Sequence, residues 1–346
     1  MITNVFNFKI DLNWQLIGLI SQIDRFDASW SSIEKKEGQS LKELKSIATI
    51  RSVGASTRIE GSKMTDEEVD VLLKNIDITK LTDRDAQEVA GYFDVLDLIS
   101  EAYSDIPITE NSIKNLHKTL LKYSEKDIWH RADYKQHSNI VEANLPDGTK
   151  QIIFQTTEPG FPTQDAMAAL MEWYKKDKDT HPLVKSALLA YDFVSIHPFQ
   201  DGNGRLSRLL STLALLKHGY HWIQYVSLEH EIESQKNKYY QTLRSCQAQR
   251  PNEDVSLWII FFFEALVKVQ KQLIQKLERQ GSLSALSPKE KSILVFIGER
   301  PGSKSGEIAE RLDIPNPTVK RILAQMVKVN LLEKHGAGAG TNYSVV

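Results

Sequence analysis

Between His197 and Arg208 the chain reads His-Pro-Phe-Gln-Asp-Gly-Asn-Gly-Arg-Leu-Ser-Arg, and this string restricts the fold more than any other. Two glycines bracket an asparagine, so the backbone can turn sharply there and lie close to a ligand. Leu206, Leu209, Leu210 and Leu213 follow at helical spacing. The string is therefore a loop that opens a helix at its own N-terminus, where unbonded N–H groups and the helix dipole favour an anion. Arg205 and Arg208, three apart, share one helix face. With the imidazole of His197 and the carboxylate of Asp201, this set of groups suits phosphate chemistry.

Around the string the pattern is helical. Apolar residues recur at three- and four-residue spacing over Leu12–Ile33 and Leu41–Ile59. Thr65 with Glu68 predicts a capping box, and Thr109 and Thr163 predict further N-caps. Pro182 suits the first turn of the helix leading into His197, and Gly219 the end of the helix that follows. Two more helices are expected, over Glu231–Ala248 and Asp254–Arg279. One β-hairpin interrupts them: Asn139–Ala143 and Gln151–Gln155 flank the turn signal Pro146-Asp147-Gly148. Gln280-Gly281-Ser282-Leu283-Ser284 reads as a linker. Beyond it, helices from Pro288, Ser305 and Pro317 (with Asn316 at its cap) and two strands around Gly336–Gly340 spell a winged helix-turn-helix. The expected fold is mainly α, divided at 1–108, 109–279 and 286–346.

Composition removes several classes. A formal charge of −2 over 346 residues gives no global attraction to nucleic acid or anionic membrane. The single cysteine, Cys246, excludes an intrachain disulfide and suits a reducing compartment. Leu257–Val267 is too short, and interrupted by Glu264, to span a bilayer. Met1–Trp14 lacks a basic n-region, so no leader is expected and a cytoplasmic location is the reading.

Residues 197–208 resemble the signature of Fic domain proteins, His-x-Phe-x-(Asp/Glu)-Gly-Asn-Gly-Arg-x-x-Arg, at every specified position. The resemblance implies a helical catalytic core over 109–279 that transfers AMP from ATP, with Mg2+, to a hydroxyl side chain of a target protein or of the chain itself. It implies His197 as general base and Asp201 as the magnesium ligand. Gly202, Asn203 and Gly204 would form the phosphate cradle, with Asn203 orienting a phosphate, and Arg205 and Arg208 would neutralise the outer phosphates. Kinase-like relatives of the Doc type carry lysine where this chain has Gly204, which favours nucleotidyl over phosphoryl transfer. UMP, GMP or phosphocholine donors stay open. Phe199 is expected to anchor the loop in the core.

Upstream, Ser56-Thr57-Arg58-Ile59-Glu60-Gly61 resembles the inhibitory helix motif (Ser/Thr)-x-x-x-Glu-(Gly/Asn) of one class in this family. That resemblance implies that Glu60 reaches Arg208 and takes space the γ-phosphate needs, with Gly61 ending the helix. The hairpin falls where the family has a flap that holds the target by strand addition. Tyr239-Tyr240 matches a pair that flanks the adenine, and Gln247 stands where relatives carry a base-binding asparagine.

From 286 to 346 nine Lys/Arg face six Asp/Glu, a net +3, and Thr318, Lys320, Arg321, Gln325 and Lys328 suit contacts to DNA. Docking to a protein suits the same unit, and relatives often dimerise. Two further readings stay open: a DNA-binding regulator whose body senses nucleotide, and an AMP-removing or phosphoryl-transferring activity on the same residues.

Overall fold

A computed structural model describes residues 8–75, 81–144, 150–284 and 286–346. The fold is mainly α, with two antiparallel two-stranded sheets. The described residues form two compact units, one ending at Gln270 and one starting at Lys271. Among them no helix is long and apolar enough to cross a membrane.

The first unit contains α1 (Trp14–Lys36), α2 (Gly38–Ile59), α3 (Asp66–Lys74), α4 (Arg84–Ala102), α5 (Glu110–Leu120), β1 (Ile140–Asn144), β2 (Lys150–Gln155), α6 (Phe161–Lys176), α7 (Pro182–Ile196), α8 (Asn203–Lys217), α9 (Leu228–Ser234) and α10 (Lys236–Gln247). The division between the units falls within α11 (Ser256–Ser284).

Its helices start where short polar side chains satisfy their first N–H groups. Thr65 Oγ1 accepts from Glu68 N at 3.2 Å while Glu68 Oε2 accepts from Thr65 N at 2.8 Å, a closed capping box. Thr109 Oγ1 accepts from Ser112 N at 3.3 Å. Gly219, with φ 95°, follows the last turn of α8 as expected.

Three expectations give way. Thr163 caps nothing: α6 begins at Phe161 after Gly160, Pro162 pre-sets its first turn, and buried Thr163 donates to the Glu158 carbonyl at 2.6 Å. The helix expected over 231–248 breaks at Gln235, because no apolar side chain between Ile232 and Tyr239 ties the chain to the core. The linker expected at 280–284 is instead the end of α11. A glycine inside a helix costs only about 1 kcal/mol, which a 29-residue helix tolerates.

Two segments position the site. Every residue of α7 from Leu183 to Ile196 is buried, as its all-round apolar sequence requires, and α8 beside it is buried from Leu206 to Leu216. The one acid within α7, Asp192, is matched by Arg250 at 2.8 Å. The last turns of α2 run through the interior, with residues 52–57 buried in succession. Strands β1 and β2 pair antiparallel from Ile140↔Gln155 to Asn144↔Lys150, with an irregularity after Val141. The expected turn at 146–148 lies outside the described residues.

The second unit has its own core. Helices α12 (Pro288–Glu299), α13 (Ser305–Leu312) and α14 (Asn316–Lys328) and strands β3 (Leu332–His335) and β4 (Asn342–Val345) bury Ile293, Ile297, Ile308, Val319, Leu323 and Met326 together. Three helices and a paired two-stranded wing make the expected winged helix-turn-helix. Asn316 is the first residue of α14, and Pro315 rather than Asn316 stands at its cap.

Candidate active site

The loop between α7 and α8 is bounded by two left-handed residues, His197 (φ 54°) and Gly202 (φ 80°). A histidine in that conformation is strained by roughly 1–2 kcal/mol, so the surroundings must hold it. They do so through backbone clasps. Asn203 Oδ1 accepts from Phe199 N at 2.9 Å and its Nδ2 donates to Phe199 O at 2.7 Å. Asn139 Nδ2 donates to the same carbonyl at 2.9 Å, and Lys135 N donates to Pro198 O at 2.8 Å. The Phe199 ring is wholly buried, the core anchor its composition suggested.

His197 Nδ1 lies 3.2 Å from the Val194 carbonyl. A carbonyl only accepts, so Nδ1 carries the proton and Nε2 keeps its lone pair. Burial pushes the imidazole down to about 4, with the nearby Lys135 ammonium adding to the shift. The ring is therefore a neutral base throughout the physiological range.

Asp201 is an ionised carboxylate. Burial opposes its charge, but Arg205, the Gly202 N–H and Lys126 outweigh it and hold the carboxyl at about 2. Its Oδ1 accepts from Gly202 N at 2.5 Å and Arg205 Nη2 at 3.1 Å, and Oδ2 has the exposed Lys126 ammonium at 3.5 Å.

These contacts bear on the roles expected from the string. The amide of Asn203 is committed to Phe199 on both sides, so it shapes the loop instead of orienting a phosphate. The N–H of Gly202 is committed to Asp201. Arg205, 2% exposed, lies between Asp201 (3.1 Å) and Glu88 (3.3 Å) and also lines the pocket beside the loop, with its Nε and Nη1 making no hydrogen bond among the described residues. The cradle that remains is the first turn of α8: the first i→i−4 bond is Leu206 N to Gly202 O, leaving the N–H groups of Asn203, Gly204 and Arg205 ahead of it.

Arg208 is the meeting point of α8 and α2. Its Nε donates to Ser56 Oγ at 2.8 Å, and its Nη2 donates to Ser56 O at 2.9 Å and Glu60 Oε1 at 2.8 Å. Burial works against the guanidinium charge, but Glu60 and neighbouring tyrosines raise its pKa beyond the free value. Gly61, with φ 112°, turns the chain away after Glu60. Gly204 is required for this contact. A Cβ there would stand 2.3 Å from Glu60 Oε1, so any side chain at 204 would evict the carboxylate.

One pocket joins His197, Asp201–Arg205, Arg208 and Glu60 to Val194, Tyr239, Tyr240, Leu243, Arg244 and Gln247. Tyr240 is half-buried on its wall, and Tyr239 is buried behind it at a ring distance of 5.1 Å. Gln247 lies beside them and donates to Ser195 Oγ at 2.9 Å. Every site residue expected from the sequence is therefore brought to this one cavity or its Ser56–Gly61 border.

Two supporting residues escaped the sequence reading. His117 on α5 stacks on Phe199 at 3.8 Å and 7°, accepts from Ala132 N at Nδ1 (3.0 Å) and donates from Nε2 to the Asp201 carbonyl (3.0 Å). Burial pushes it down to about 4. Lys135 donates to Asn139 Oδ1, Thr156 Oγ1 and Ile196 O at 3.0, 2.8 and 3.3 Å, tying the roots of the hairpin to the loop; burial lowers it to about 8. His117 falls on the apolar face of an amphipathic helix and Lys135 in an irregular segment, so neither carries a pattern.

Known proteins resemble these parts. Residues 107–215 match the Fic/DOC family model, and residues 292–336 match the IclR helix-turn-helix domain. The protein adenylyltransferase Fic of Drosophila yakuba is 26% identical over 231 residues, covering 65% of this chain and 42% of that protein. A Fido domain-containing protein of Dictyostelium discoideum is 39% identical over 70 residues, 20% of this chain and 49% of that one. The chain thus spans less than half the length of these curated relatives. In fold it is similar to a Fic family protein from Desulfovibrio desulfuricans, with a TM-score of 0.64, 21% identity and 98% of both chains covered.

Proposed function

The chain carries a Fic/DOC-family domain, and from that premise we propose that it is an autoinhibited protein adenylyltransferase, moving AMP from ATP to a hydroxyl side chain of a protein. The observation that carries this reading is the orientation of His197. Its Nδ1–H is tied to Val194, and its free Nε2 shares a pocket with the N-terminus of α8. The attacking hydroxyl gives its proton to Nε2 as its oxygen bonds the α-phosphorus. The bond from that phosphorus to the bridging oxygen breaks, and pyrophosphate leaves. The N–H groups at the start of α8 and the Arg208 guanidinium receive the charge on the phosphates. Arg205 keeps Asp201 ionised and in place.

Asp201 fits a magnesium ion: it is a hard, ionised oxygen donor whose Oδ2 meets only a surface lysine. Among the described residues no cluster of three acidic, histidine or cysteine ligands exists, so the ion would share this single carboxylate with the nucleotide phosphates. Bound there, it would neutralise phosphate charge.

Glu60 is the brake. Its carboxylate occupies Arg208 and puts negative charge where the outer phosphate would lie, at the one position that Gly204 leaves open. The test is incubation with Mg2+ and ATP labelled at the α- or the γ-phosphate. Protein-bound α-label, absent in His197→Ala, is expected; γ-label on protein would overturn the reading in favour of phosphoryl transfer.

The second unit is proposed to bind DNA. Lys320, Arg321, Gln325 and Lys328 are exposed on α14 while Val319, Ile322, Leu323 and Met326 face its core. Duplex binding that weakens steeply with salt, and is lost when Lys320 and Arg321 are replaced, is the expected result.

A further inference from the structure

Arg205 has one charge and two carboxylates beside it. Its Nη2 donates to Asp201 Oδ1 at 3.1 Å, and on its other side Nη1 stands 3.3 Å from Glu88 Oε2, a charge contact with no hydrogen bond. Glu88, on α4, is buried and does not line the pocket. Its Oε1 accepts from Nε of the largely exposed Arg84 at 2.8 Å. Arg84, Glu88, Arg205 and Asp201 thus alternate in sign from the surface to the site. At the inner end, Asp201 Oδ1 is filled by Arg205 and the Gly202 N–H, whereas Oδ2 has only the exposed Lys126 ammonium at 3.5 Å. A solvated lysine at that distance is weakly held and gives way to a closer cation. A buried arginine on the same oxygen would not.

We propose that Glu88 is a positioning residue for the magnesium ion: by drawing Arg205 back, it keeps one oxygen of Asp201 open to the metal. Glu88 touches neither metal nor nucleotide and acts through Arg205. A guanidinium facing a single carboxylate frequently bonds both of its oxygens. The pull of Glu88 on Nη1 holds Arg205 to one, and its negative charge offsets that of the guanidinium, so the ground behind Asp201 does not repel a dication. With a neutral amide at 88, Arg205 closes onto both oxygens of Asp201 and the site gains a positive charge. The first change weakens Mg2+; the second favours a bare polyphosphate. A side chain that only supported the fold would move both bindings the same way. The inference rests on reading Asp201 as the Mg2+ ligand of a nucleotide site, and it adds a residue from outside the signature string.

The experiment is calorimetric titration of ADP into the full chain, with Mg2+ and again with EDTA, for wild type, Glu88→Gln and Glu88→Asp, with a thermal melt of each protein. ADP has no γ-phosphate, so the proposed brake does not interfere. Wild type should bind ADP more tightly with Mg2+ than without. In Glu88→Gln that gain should shrink about tenfold, the lower end of what losing a residue that orients a metal ligand costs. Metal-free ADP should bind Glu88→Gln as well as it binds wild type, or better. Glu88→Asp keeps the charge but sets it one methylene back, and should lose a smaller part of the gain. An unchanged Mg2+ gain in Glu88→Gln would overturn the proposal, and so would a parallel fall of both affinities with a lower melting temperature. Should Glu88→Gln not fold, a gain in Glu88→Asp equal to wild type would overturn it. A wild type that binds ADP equally with and without Mg2+ would instead sink Asp201 as the metal ligand, and one that binds no ADP would sink the nucleotide site.

Discussion

The α7–α8 loop and the end of α2 touch at Arg208, yet they are held in place by different means. The loop is fixed many times over: Phe199 alone is bonded by Asn203 on both sides and by Asn139, and is stacked on His117. All of these contacts are neutral and nearly all are buried. The end of α2 that carries the proposed brake is fixed by Ser56, which is buried, but the Glu60 carboxylate, about a third exposed, has one hydrogen-bond partner among the described residues. Redundant neutral bonds keep a reacting geometry constant, whereas a single charged contact at the solvent border can be released without unfolding anything. The groups proposed to react belong to the first kind of region and the proposed brake to the second.

The comparison breaks most directly at His197. His197→Ala is expected to lower α-label transfer by about 10²- to 10⁴-fold, the usual contribution of general base catalysis, while nucleotide binding stays. A variant that transfers as well as wild type would place the base elsewhere. Next in size is Glu60→Gly, expected to raise self-modification roughly 10- to 100-fold, since a charge-assisted hydrogen bond is worth about 1.5–3 kcal/mol. Its melting temperature should move little. Gly204→Ala offers a second route to the same release, because its Cβ overlaps Glu60 Oε1; a measured rate below wild type would mean that the methyl group blocks the phosphates instead. In the loop, Asn203→Ala removes two clasps at once and should cost about 2 kcal/mol of stability, read as a lower urea midpoint. If it instead left the midpoint unchanged, the loop would not be held as described.

How much of this was legible in the sequence follows the range of each interaction. Helices whose caps are local, such as the Thr65–Glu68 box and the Gly219 stop, could be read from neighbours three or four residues away. The string 197–208 named its own members. What it could not give was each member's partner. Asparagine suits a phosphate and a backbone clasp equally well, and only the approach of the Phe199 amide decides for Asn203. Arginine at 205 reads as a phosphate ligand, and only the fold shows that Glu88, on α4, stands beside it as well. Thr163 failed for the same reason in reverse: it is a good cap by type, but Gly160 and Pro162 had already started the helix. His117 had no signal at all, because a histidine on an apolar helix face is bland until the loop it stacks against is known.

The smallest expected effect sharpens the comparison through pH. A free imidazole titrates near 6.5, so an ordinary histidine base would lose half its rate there. Burial lowers His197 to about 4 and His117 to the same range. The kcat/KM of Glu60→Gly should therefore be nearly flat from pH 8 down to about 5.5 and fall only as the pH approaches 4. Stability moves differently. Between pH 6.5 and 4 the unfolded chain binds protons at both histidines that the folded chain does not, so their contribution to stability is full above 6.5 and drains away as the pH falls. A melting temperature that drops across a range where the rate holds steady is the expected result, measured on the same samples. A rate that falls with a midpoint near 6.5 would mean that the imidazole stands in water, and the loop would then be no better shielded than the brake.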